Sequence, residues 1–391
     1  MRHLRVPNRD VEGSLAILRE RDWLAGGMRV FSQEEDHRLI PLDPGAPIEI
    51  PAPLDVYEVT LVDGLPDSKI DSDWWNHLSS LVDREEIKEY GDAWPSSHEF
   101  ISDMMVVRIE DELETFTRHI AEAKLLSHPH IRLILKDEGV QGELRIRKLT
   151  PIGARLDGEI ITDEIPDSLC RTRVLVRESG RSIACDPNRA YFSTKLQAER
   201  LETLSLAKDL RQSLGRPLRV CDPFCGVGPA LSTLLSEPGL VGEILASDLN
   251  TDAVELLMDN LRRWDGRSYP KEPSPISRVF DDRIIGVADA TKLCENPELT
   301  GRWDLLIVNL PHRTIEMLSS LVPLLNRKNV SMIRGRVIAP ENGIEEANHS
   351  IRTILPDPPE GFPVTTLRIK SDYSSKLRLC SFHSWITPID E

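Results

Sequence analysis

The fold is decided by the stretch Val220-Cys221-Asp222-Pro223-Phe224-Cys225-Gly226-Val227-Gly228-Pro229. An apolar strand runs into a carboxylate, and a loop with two glycines then leads into a helix that begins at a proline. Glycine has no Cβ, so the backbone of such a loop can approach a ligand closely. Small molecules bind open α/β sheets at the carboxyl ends of the strands. The stretch therefore predicts a small-molecule site with four candidate contacts, namely Asp222, Phe224, Gly226 and Gly228.

Three later strands of the same region end in polar residues. A strand over residues 243–247 leads to Asp248, where a carboxylate can take both hydroxyls of a ribose. The next strand leads to Asp289, which is placed to read an adenine edge, and a further one ends in Asn309-Leu310-Pro311. The loop lacks the GxGxxG order expected for NAD, and no P-loop lysine follows it. Together these features resemble the motif series of class I methyltransferases, which implies S-adenosylmethionine as cofactor.

Each of these polar residues also has a purely structural interpretation. Asp222 can cap its strand, Asp248 can cap the helix at residues 252–260, and Asp289 can belong to an ordinary turn. Asn309 can belong to a strand-ending turn with the proline that follows. Both interpretations stay open at this stage.

Asn309 and Pro311 stand where nitrogen-directed methyltransferases carry a short polar-proline motif. A sulfonium donor is already activated, so the protein must position the acceptor and remove a proton from a nitrogen that carries one. An asparagine side chain offers a base both a donor and an acceptor, and the proline makes the turn rigid. We therefore predict that Asn309 and Pro311 form part of the acceptor site.

The chain of 391 residues separates into three regions by pattern. Residues 1–65 form a small first region with strands and one amphipathic helix near 11–20, and residues 66–190 form a compact α+β unit. Residues 191–391 alternate strand and helix and end in two adjacent strand-like runs. The prediction is a Rossmann-like α/β domain with a mostly parallel seven-stranded sheet and an antiparallel C-terminal hairpin, preceded by two small α+β domains.

Composition restricts the function further. The net charge of −16 argues against nonspecific nucleic-acid binding but leaves a local basic patch possible. No apolar run reaches the roughly 20 residues of a membrane span, and the N-terminus lacks the apolar core of a signal peptide. We expect a cytoplasmic protein with reduced cysteines and no membrane contact. Cys221 and Cys225 suggest zinc, but no second pair stands nearby, so we expect no metal.

The chain resembles the archaeal and eukaryal tRNA (guanine-37 N1)-methyltransferases along nearly its whole length. Residues 190–200, AYFSTKLQAER, are similar to that family's YFSPRLxxER signature, and residues 142–147, GELRIR, are similar to its GEFRVR strand. Residues 222–229 resemble DMFAGVGP, and residues 308–311 resemble MNLP. The departures are PFC in place of MFA in the cofactor loop and TK in place of PR in the first signature.

The resemblance implies a role for each matched residue. Glu199 would take the N1 proton as general base, Arg145 would stabilise negative charge on the guanine O6, and Asn309 would hold the guanine edge. Tyr191 would lie by the cofactor and the target base, and Pro311 would shape the turn. A carboxylate beside N1 and a guanidinium beside O6 match the charge that develops when N1 loses its proton.

The resemblance also implies a tRNA partner, with residues 1–65 on the tRNA body and the middle domain helping to bind the anticodon-loop base, and no stable protein partner. Without it, Glu199-Arg200 would be interpreted as a surface pair on a helix, and Arg145, Arg147 and Lys148 as a solvated strand face.

Other functions remain as alternatives to the guanine N1-methyltransferase. His312-Arg313-Thr314 resembles a related family that transfers the aminocarboxypropyl group of the same donor in wybutosine synthesis, and a methyltransferase for a tricyclic guanine intermediate stands beside it. A third hypothesis is a noncatalytic tRNA-binding module with a remnant cofactor fold. Mass spectrometry of the tRNA product distinguishes N1-methylation from aminocarboxypropyl transfer by the mass of the added group. Cofactor binding without turnover would indicate the noncatalytic module.

Overall fold

A computed structural model describes residues 1–25, 28–34, 36–65, 72–142, 144, 146–326 and 328–387. The helices of these residues are α1 Val11–Glu20, α2 Trp74–Leu81, α3 Arg84–Tyr90, α4 Thr117–Ser127, α5 Gln197–Leu214, α6 Pro229–Leu235, α7 Thr251–Asp265, α8 Thr314–Leu321 and α9 Ile344–Ile354.

The first eleven strands precede α5, and the other eight follow it. The first group comprises β1 Arg2–Pro7, β2 Phe31–Glu34, β3 His37–Pro41, β4 Glu58–Leu61, β5 Glu99–Ile101, β6 Met104–Val107, β7 Leu133–Gln141, β8 Ile146–Leu156, β9 Glu159–Ile161, β10 Val174–Glu178 and β11 Arg181–Cys185. The second group comprises β12 Leu218–Asp222, β13 Val241–Asp248, β14 Ser277–Phe280, β15 Arg283–Val287, β16 Leu305–Val308, β17 Ser331–Pro340, β18 Arg368–Asp372 and β19 Leu377–Ile386.

The chain divides into two compact units. The first consists of Met1–Pro95, Ile109–Ile134 and Ile152–Ile165. It contains an antiparallel sheet in the order β2-β3-β1-β4, with α1 as predicted from the spacing of its apolar residues. The buried core of this sheet and helix includes Leu4, Leu18 and Ile40.

The second unit consists of Ser96–Arg108, Leu135–Pro151 and Pro166–Glu391. It contains the eight-stranded sheet, in the order β14-β15-β13-β12-β16-β17-β19-β18. Strands β15, β13, β12, β16 and β17 pair in parallel, and β14, β19 and β18 pair antiparallel to their neighbours. The predicted fold class and C-terminal hairpin are confirmed, and the sheet has one strand more than the seven expected, because β14 extends the far edge.

The large sheet carries an apolar layer on each face. One buried cluster joins the sheet to α8 and α9, and the other joins it to α5, α6 and α7. In the sheet, β12 lies between β13 and β16. The chain passes from β12 directly to β13 and forms β16 on the other side only later, so the carboxyl end of β12 is a topological switch point. Ligands of doubly wound sheets bind at such a point.

Several local predictions in residues 66–190 need correction. The strand predicted near Ile101–Ile109 is two antiparallel strands, β5 and β6, because Ser102 turns the chain with a φ of +58°. The paired strands β10 and β11 are confirmed, and β7 and β8 are longer than predicted. Helices α2 and α3 were not predicted. The division into domains at residues 65 and 190 stays a prediction.

Among the described residues, no helix combines the length and the apolar character needed to cross a membrane.

Candidate active site

Two glycines shape the loop that follows β12. Gly226 has a φ of +53° and its N–H donates to Asp248 Oδ2 at 2.9 Å. Gly228 has a φ of +84°, and a Cβ at this position would lie 2.5 Å from Leu257 Cδ1. Both conformations are ones that L side chains rarely adopt. The backbone therefore turns tightly over the end of β12, and Pro229 begins α6 directly after it.

Asp222 ends β12 and is buried beneath this loop. Its Oδ1 is a buried oxygen that accepts no hydrogen bond from any described residue. Burial raises its pKa to about 7, and the nearby Asp248 adds to the effect, whereas the Phe224 N–H and Arg336 act in the opposite direction. A buried carboxylate oxygen without a donor is costly unless a ligand supplies one. The ammonium group of S-adenosylmethionine has that chemistry, so Asp222 fits the predicted cofactor.

Asp248 holds the loop and does not cap a helix. Asn250 is the N-cap of α7, and its side chain accepts from Asp252 N at 2.9 Å. The Asp248 Oδ1 accepts from Asn250 N at 2.9 Å, while its Oδ2 accepts from Gly226 N. Burial raises its pKa. The helix-cap interpretation is therefore wrong, and each carboxylate oxygen keeps a lone pair for a ribose hydroxyl.

Asp289 lies at an exposed turn after β15. Its Oδ1 accepts from Thr291 N at 3.0 Å and from Thr291 Oγ1 at 2.7 Å, so it caps a short 3₁₀ helix over Ala290–Glu295. These hydrogen bonds lower its pKa. The structure thus contains the turn interaction that the sequence left open, and the adenine role of Asp289 stays a prediction. Phe224 is partly buried and packs against the apolar cluster on the α8 face.

Glu199 lies in the first turn of α5 within a cluster of cations. Its Oε2 is 2.9 Å from Arg334 Nη2, its Oε1 is 3.1 Å from Lys370 Nζ, and Arg336 Nε is 3.9 Å from Oε2. Only 12% of its side chain is exposed. Glu202, one turn further along α5, contacts Arg334 at 2.8 Å and Lys370 at 2.6 Å. The surface-pair interpretation of Glu199 is therefore wrong.

Arg200 is buried and anchors the start of α5. Its guanidinium binds the buried carboxylate of Glu178 on β10 through Nε and Nη2, and Nη2 also donates to the Ser193 carbonyl at 3.2 Å. The ring of buried Phe192 lies 5.9 Å from the guanidinium carbon. These contacts fix the linker before α5 and thereby the first turn that carries Glu199.

Asn309 lies at the carboxyl end of β16 and contacts the same cation cluster. Its Oδ1 accepts a hydrogen bond of 3.0 Å from Arg336 Nη1. Asn309, Arg334 and Arg336 line one small cleft together with Pro229 of the glycine loop. The Pro311 carbonyl accepts from Ile338 N at 2.9 Å, which ties the Asn309 loop to β17. Glu199 and Asn309 are thus brought together by Arg336.

Tyr191 lies in the linker next to the glycine loop and is half exposed. A Cβ on Gly226 would lie 3.7 Å from the Tyr191 carbonyl oxygen, so the two segments touch. Two residues on, Ser193 Oγ donates to Glu99 Oε1 at 3.4 Å. The predicted position of Tyr191 beside the cofactor loop agrees with this placement.

Arg147 is not on a solvated strand face. Its guanidinium donates to Glu99 Oε2 and to Asp137 Oδ2, each at 2.8 Å, and only 13% of its side chain is exposed. Lys148 is more exposed and pairs with Glu138. Arg145, the predicted O6 contact, lies outside the described residues, so its role stays a prediction.

Sequence reasoning missed the cations of this cleft. Arg334 and Arg336 alternate within the buried strand β17, so they share one face of the sheet, and Gly335 between them faces the other. The Phe382 ring occupies the space beside Gly335, where a Cβ would lie 2.4 Å from it. Two arginines two residues apart in an otherwise apolar strand were the available signal. Lys370 on the edge strand β18 gave none.

Among the described residues, no group of three or more His, Cys, Asp or Glu side chains could hold a metal ion. All six cysteines are free. Burial raises the pKa of the Cys221 thiol and that of the Cys225 thiol well above the usual range for cysteine. This disfavours the thiolate form that zinc would require.

The sheet order, the switch point at β12 and the glycine loop define a class I methyltransferase fold. No family model matches the chain. The curated tRNA (guanine(37)-N(1))-methyltransferase Trm5b of Pyrococcus abyssi is 25% identical over 233 residues, which is 59% of this chain and 57% of that protein. The chain spans about half the length of the curated relatives it matches. The resemblance noted from the motifs is thus confirmed as a similarity to Trm5 proteins.

Solved structures show the same fold over most of the chain. A structure of aTrm5 with tRNALeu superposes with a TM-score of 0.66 at 19% identity and covers 98% of this chain and 99% of that one. A structure of P. horikoshii TYW2 with MeSAdo gives a TM-score of 0.50 at 16% identity and covers 79% of this chain and 96% of that one. The Trm5 fold therefore matches more of this chain than the TYW2 fold does.

Proposed function

We propose that this protein transfers the methyl group of S-adenosylmethionine to N1 of guanine at position 37 of tRNA. The curated relatives it resembles are named tRNA (guanine(37)-N(1))-methyltransferases, and one structural neighbour is a Trm5 complex with tRNALeu. The similarity to P. horikoshii TYW2 supports the aminocarboxypropyl transfer as the second candidate. The cytoplasmic location and the lack of a stable protein partner stay predictions.

One observation carries the proposal: Arg336 joins Glu199 and Asn309, because its Nε lies 3.9 Å from Glu199 Oε2 and its Nη1 donates to Asn309 Oδ1 at 3.0 Å. Asn309 and Arg336 also adjoin Pro229 at the end of the glycine loop. A base placed there presents one ring edge to a carboxylate and to an amide at the same time. The N1–H and the neighbouring polar groups of guanine form such an edge, and adenine has no hydrogen on N1. The pairing of Glu199 with Asn309 therefore favours a guanine whose N1 carries the proton to be removed.

In this proposal, Glu199 accepts the N1 proton and Asn309 holds the base edge. Arg334 and Lys370 keep Glu199 in one orientation, since each donates to a different oxygen of its carboxylate. Holding the base with N1 toward the donor converts a bimolecular step into a positioned one. Proton transfer to a positioned carboxylate contributes about 10²–10⁴ in rate.

The cofactor would be held by residues at the ends of β12, β13 and β15. Asp222 would bind the ammonium group, Asp248 the ribose hydroxyls and Asp289 the adenine edge, while the backbone at Gly226 and Gly228 approaches the ligand closely. When bound, S-adenosylmethionine supplies an activated methyl group on a sulfonium. Tyr191 would border this site and the target base.

The tRNA would contact both small N-terminal regions. We propose that residues 1–65 bind the body of the tRNA and that residues 66–190 help to hold the anticodon-loop base. Deletion of residues 1–65 should raise the KM for full-length tRNA more than it changes kcat. With a short anticodon stem-loop as substrate, the deleted and the full-length protein should have similar KM values. An unchanged KM for full-length tRNA after the deletion would argue against the assignment.

The test incubates labelled donor with tRNA transcripts that carry guanine or adenine at position 37, followed by nucleoside analysis. N1-methylguanine from the guanine transcript alone supports the proposal. A product heavier by the aminocarboxypropyl group would support the second candidate, and donor binding without any product would support the noncatalytic hypothesis.

Glu199→Gln provides the matching variant. It should leave donor affinity unchanged and lower kcat by about 10²–10⁴, because the amide cannot take the N1 proton. Glu237→Gln is the control, since Glu237 is a partly exposed carboxylate whose partner Lys208 also lies on α5. Full activity of Glu199→Gln on tRNA would remove Glu199 from the mechanism.

A further inference from the structure

Arg336 is a buried guanidinium whose hydrogen-bonding capacity is mostly unused. The residue is 9% exposed and carries five N–H donors. Within the described part of the chain it makes one hydrogen bond, from Nη1 to Asn309 Oδ1 at 3.0 Å. Its Nε lies 3.9 Å from Glu199 Oε2, which is an ion-pair distance but too long for a hydrogen bond. No nitrogen of Arg336 is among the fully buried polar atoms without a partner. Its unused N–H donors are therefore open to a ligand that can accept hydrogen bonds.

Arg334 provides the internal comparison because it lies two residues earlier on the same strand face. Its guanidinium donates to Glu199 at 2.9 Å, to Glu202 at 2.8 Å and to the Phe382 carbonyl at 3.4 Å. Arg334 is therefore satisfied by the protein itself and holds Glu199 in place. Arg336 differs in that Asn309 Oδ1 is the one hydrogen-bond acceptor it reaches among the described residues.

We infer that Arg336 is the cation that binds the O6 oxygen of the target guanine as N1 loses its proton. This inference rests on the proposed function and assigns it a residue that the family motifs in this sequence do not include. Arg336 lies beside both residues that would hold the guanine edge, at 3.0 Å from Asn309 Oδ1 and 3.9 Å from Glu199 Oε2. An oxygen adjacent to N1 would therefore lie near its guanidinium.

The charges balance through the whole step. The N1–H proton moves to the Glu199 carboxylate, and the electron pair left behind is shared between N1 and O6. N1 then forms a bond to the methyl carbon as the carbon–sulfur bond breaks and its electron pair returns to sulfur. O6 becomes a neutral carbonyl again. Arg336 thus interacts most strongly with O6 while the base is anionic, which is the kind of interaction that raises kcat.

The local charge agrees with this role. Arg334, Arg336 and Lys370 face Glu199 and Glu202, so the cluster carries one more positive than negative charge when all five are ionised. After Glu199 takes the proton, the surplus becomes two, and the anionic base offsets one of them. Burial also lowers the pKa of Arg336 to about 10, which still leaves it charged at neutral pH.

The family resemblance gave the same task to Arg145. The two arginines are distinguished by a double-mutant cycle, since residues that act on one group show coupled effects. If both arginines contact O6, the double variant Arg145→Gln/Arg336→Gln loses less of the transfer rate than the product of the two single losses. If the two single losses of rate multiply fully in the double variant, the arginines act independently, and Arg336 acts on another group.

The decisive experiment measures single-turnover methyl transfer by the full-length protein to a tRNA transcript with guanine 37, from pH 6 to pH 9.5. Arg336→Gln should lower the rate about 10²–10³-fold at pH 7, the range for loss of one preorganised donor to a developing oxyanion. The loss should shrink as pH rises, because solution hydroxide then removes the N1 proton. Guanidinium chloride at millimolar concentration should partly rescue Arg336→Ala.

Donor affinity and melting temperature are measured in parallel, with Arg219→Gln as the control. Arg219 lies at the amino end of β12, away from the cleft, and pairs with Glu243. If Arg336→Gln lowers the affinity for the donor and leaves the transfer rate unchanged, Arg336 binds the carboxylate of the donor, and the inference is overturned. A loss of rate that is equal at every pH, with no rescue, would mean a structural role and also overturn it. If the wild-type protein forms no N1-methylguanine, the proposed function and the inference both fail.

Discussion

Replacing Glu178 tests how strongly the linker before α5 depends on one buried ion pair. The Glu178 and Arg200 side chains are 3% and 5% exposed. Glu178→Met leaves the Arg200 charge buried without its partner, and breaking a buried pair in this way costs about 3–5 kcal/mol of unfolding free energy. A substituted methionine has a similar volume, so little of the loss would come from packing.

The double variant Glu178→Met/Arg200→Met separates the lost pair from the stranded charge. Replacing a buried ion pair with apolar residues of similar volume is often neutral or stabilising. We therefore expect the double variant to regain most of the loss in stability. It should not regain full activity, because Arg200 Nη2 also holds the Ser193 carbonyl at 3.2 Å, next to the turn that carries Glu199.

Urea unfolding gives the free energies, and hydrogen exchange of the α5 amides shows where the loss occurs. The second measurement is needed because the chain has two compact units, and one transition need not report both. Glu237→Met, at a partly exposed surface pair, serves as the control. The reasoning is refuted if Glu178→Met costs less than about 1 kcal/mol, the range of a surface pair, or if the double variant is as unstable as the single.

Two further predictions concern the end of β12 and the middle of β17. The pKa of Asp222 is raised to about 7, so its carboxylate gains charge as pH rises from 5.5 to 7, and donor affinity should rise with it. Asp222→Asn should weaken donor binding and remove that pH dependence. The affinities are measured below the pH at which the donor's own amino group titrates. If the affinities of both proteins change equally with pH, Asp222 is not the contact. Gly335→Ala should lower the free energy of unfolding by about 1–3 kcal/mol, because its Cβ would lie 2.4 Å from the buried Phe382 ring; an unchanged melting temperature would show that the ring moves freely.

The cofactor half of the site was predictable because its signals are local. A carboxylate at a strand end, glycines in the next turn and a proline at the start of a helix occupy consecutive positions, and each follows from backbone geometry. Asp222, Gly226 and Gly228 therefore lie where the sequence placed them. The mostly parallel sheet followed in the same way from the alternation of strands and helices.

The acceptor half was only partly predictable because its contacts join distant parts of the chain. Arg334 and Glu199 are 135 residues apart, and Lys370 and Glu202 are 168 residues apart. Nothing in either segment shows that β17 presents its arginines to the first turn of α5. The family resemblance drew attention to Glu199 and Asn309, but Arg336, which joins them, matches no motif quoted for that family.

Short elements account for the remaining errors in the fold. Strand β14 has four residues and follows a proline-rich stretch, so its sequence resembles a loop more than an edge strand. The β5–β6 turn was hidden because Ser102 and Asp103 interrupt an apolar run that resembles one strand. In both places the pairing partner decides the structure, and local propensity does not reveal it.

The separation of charge along one edge of the sheet explains how an acidic protein can accept both substrates of the proposed reaction. The carboxylates of Asp222 and Asp248 end the neighbouring strands β12 and β13, on the side where a cationic sulfonium donor would bind. The cations of Arg334, Arg336 and Lys370 lie on β17 and β18, on the side of Asn309. A donor with a positive charge and a base that becomes anionic are therefore each opposed by the opposite charge, and they approach each other between the two groups. The net charge of −16 is a property of the whole chain, whereas the rate of methyl transfer depends on the field within this cleft.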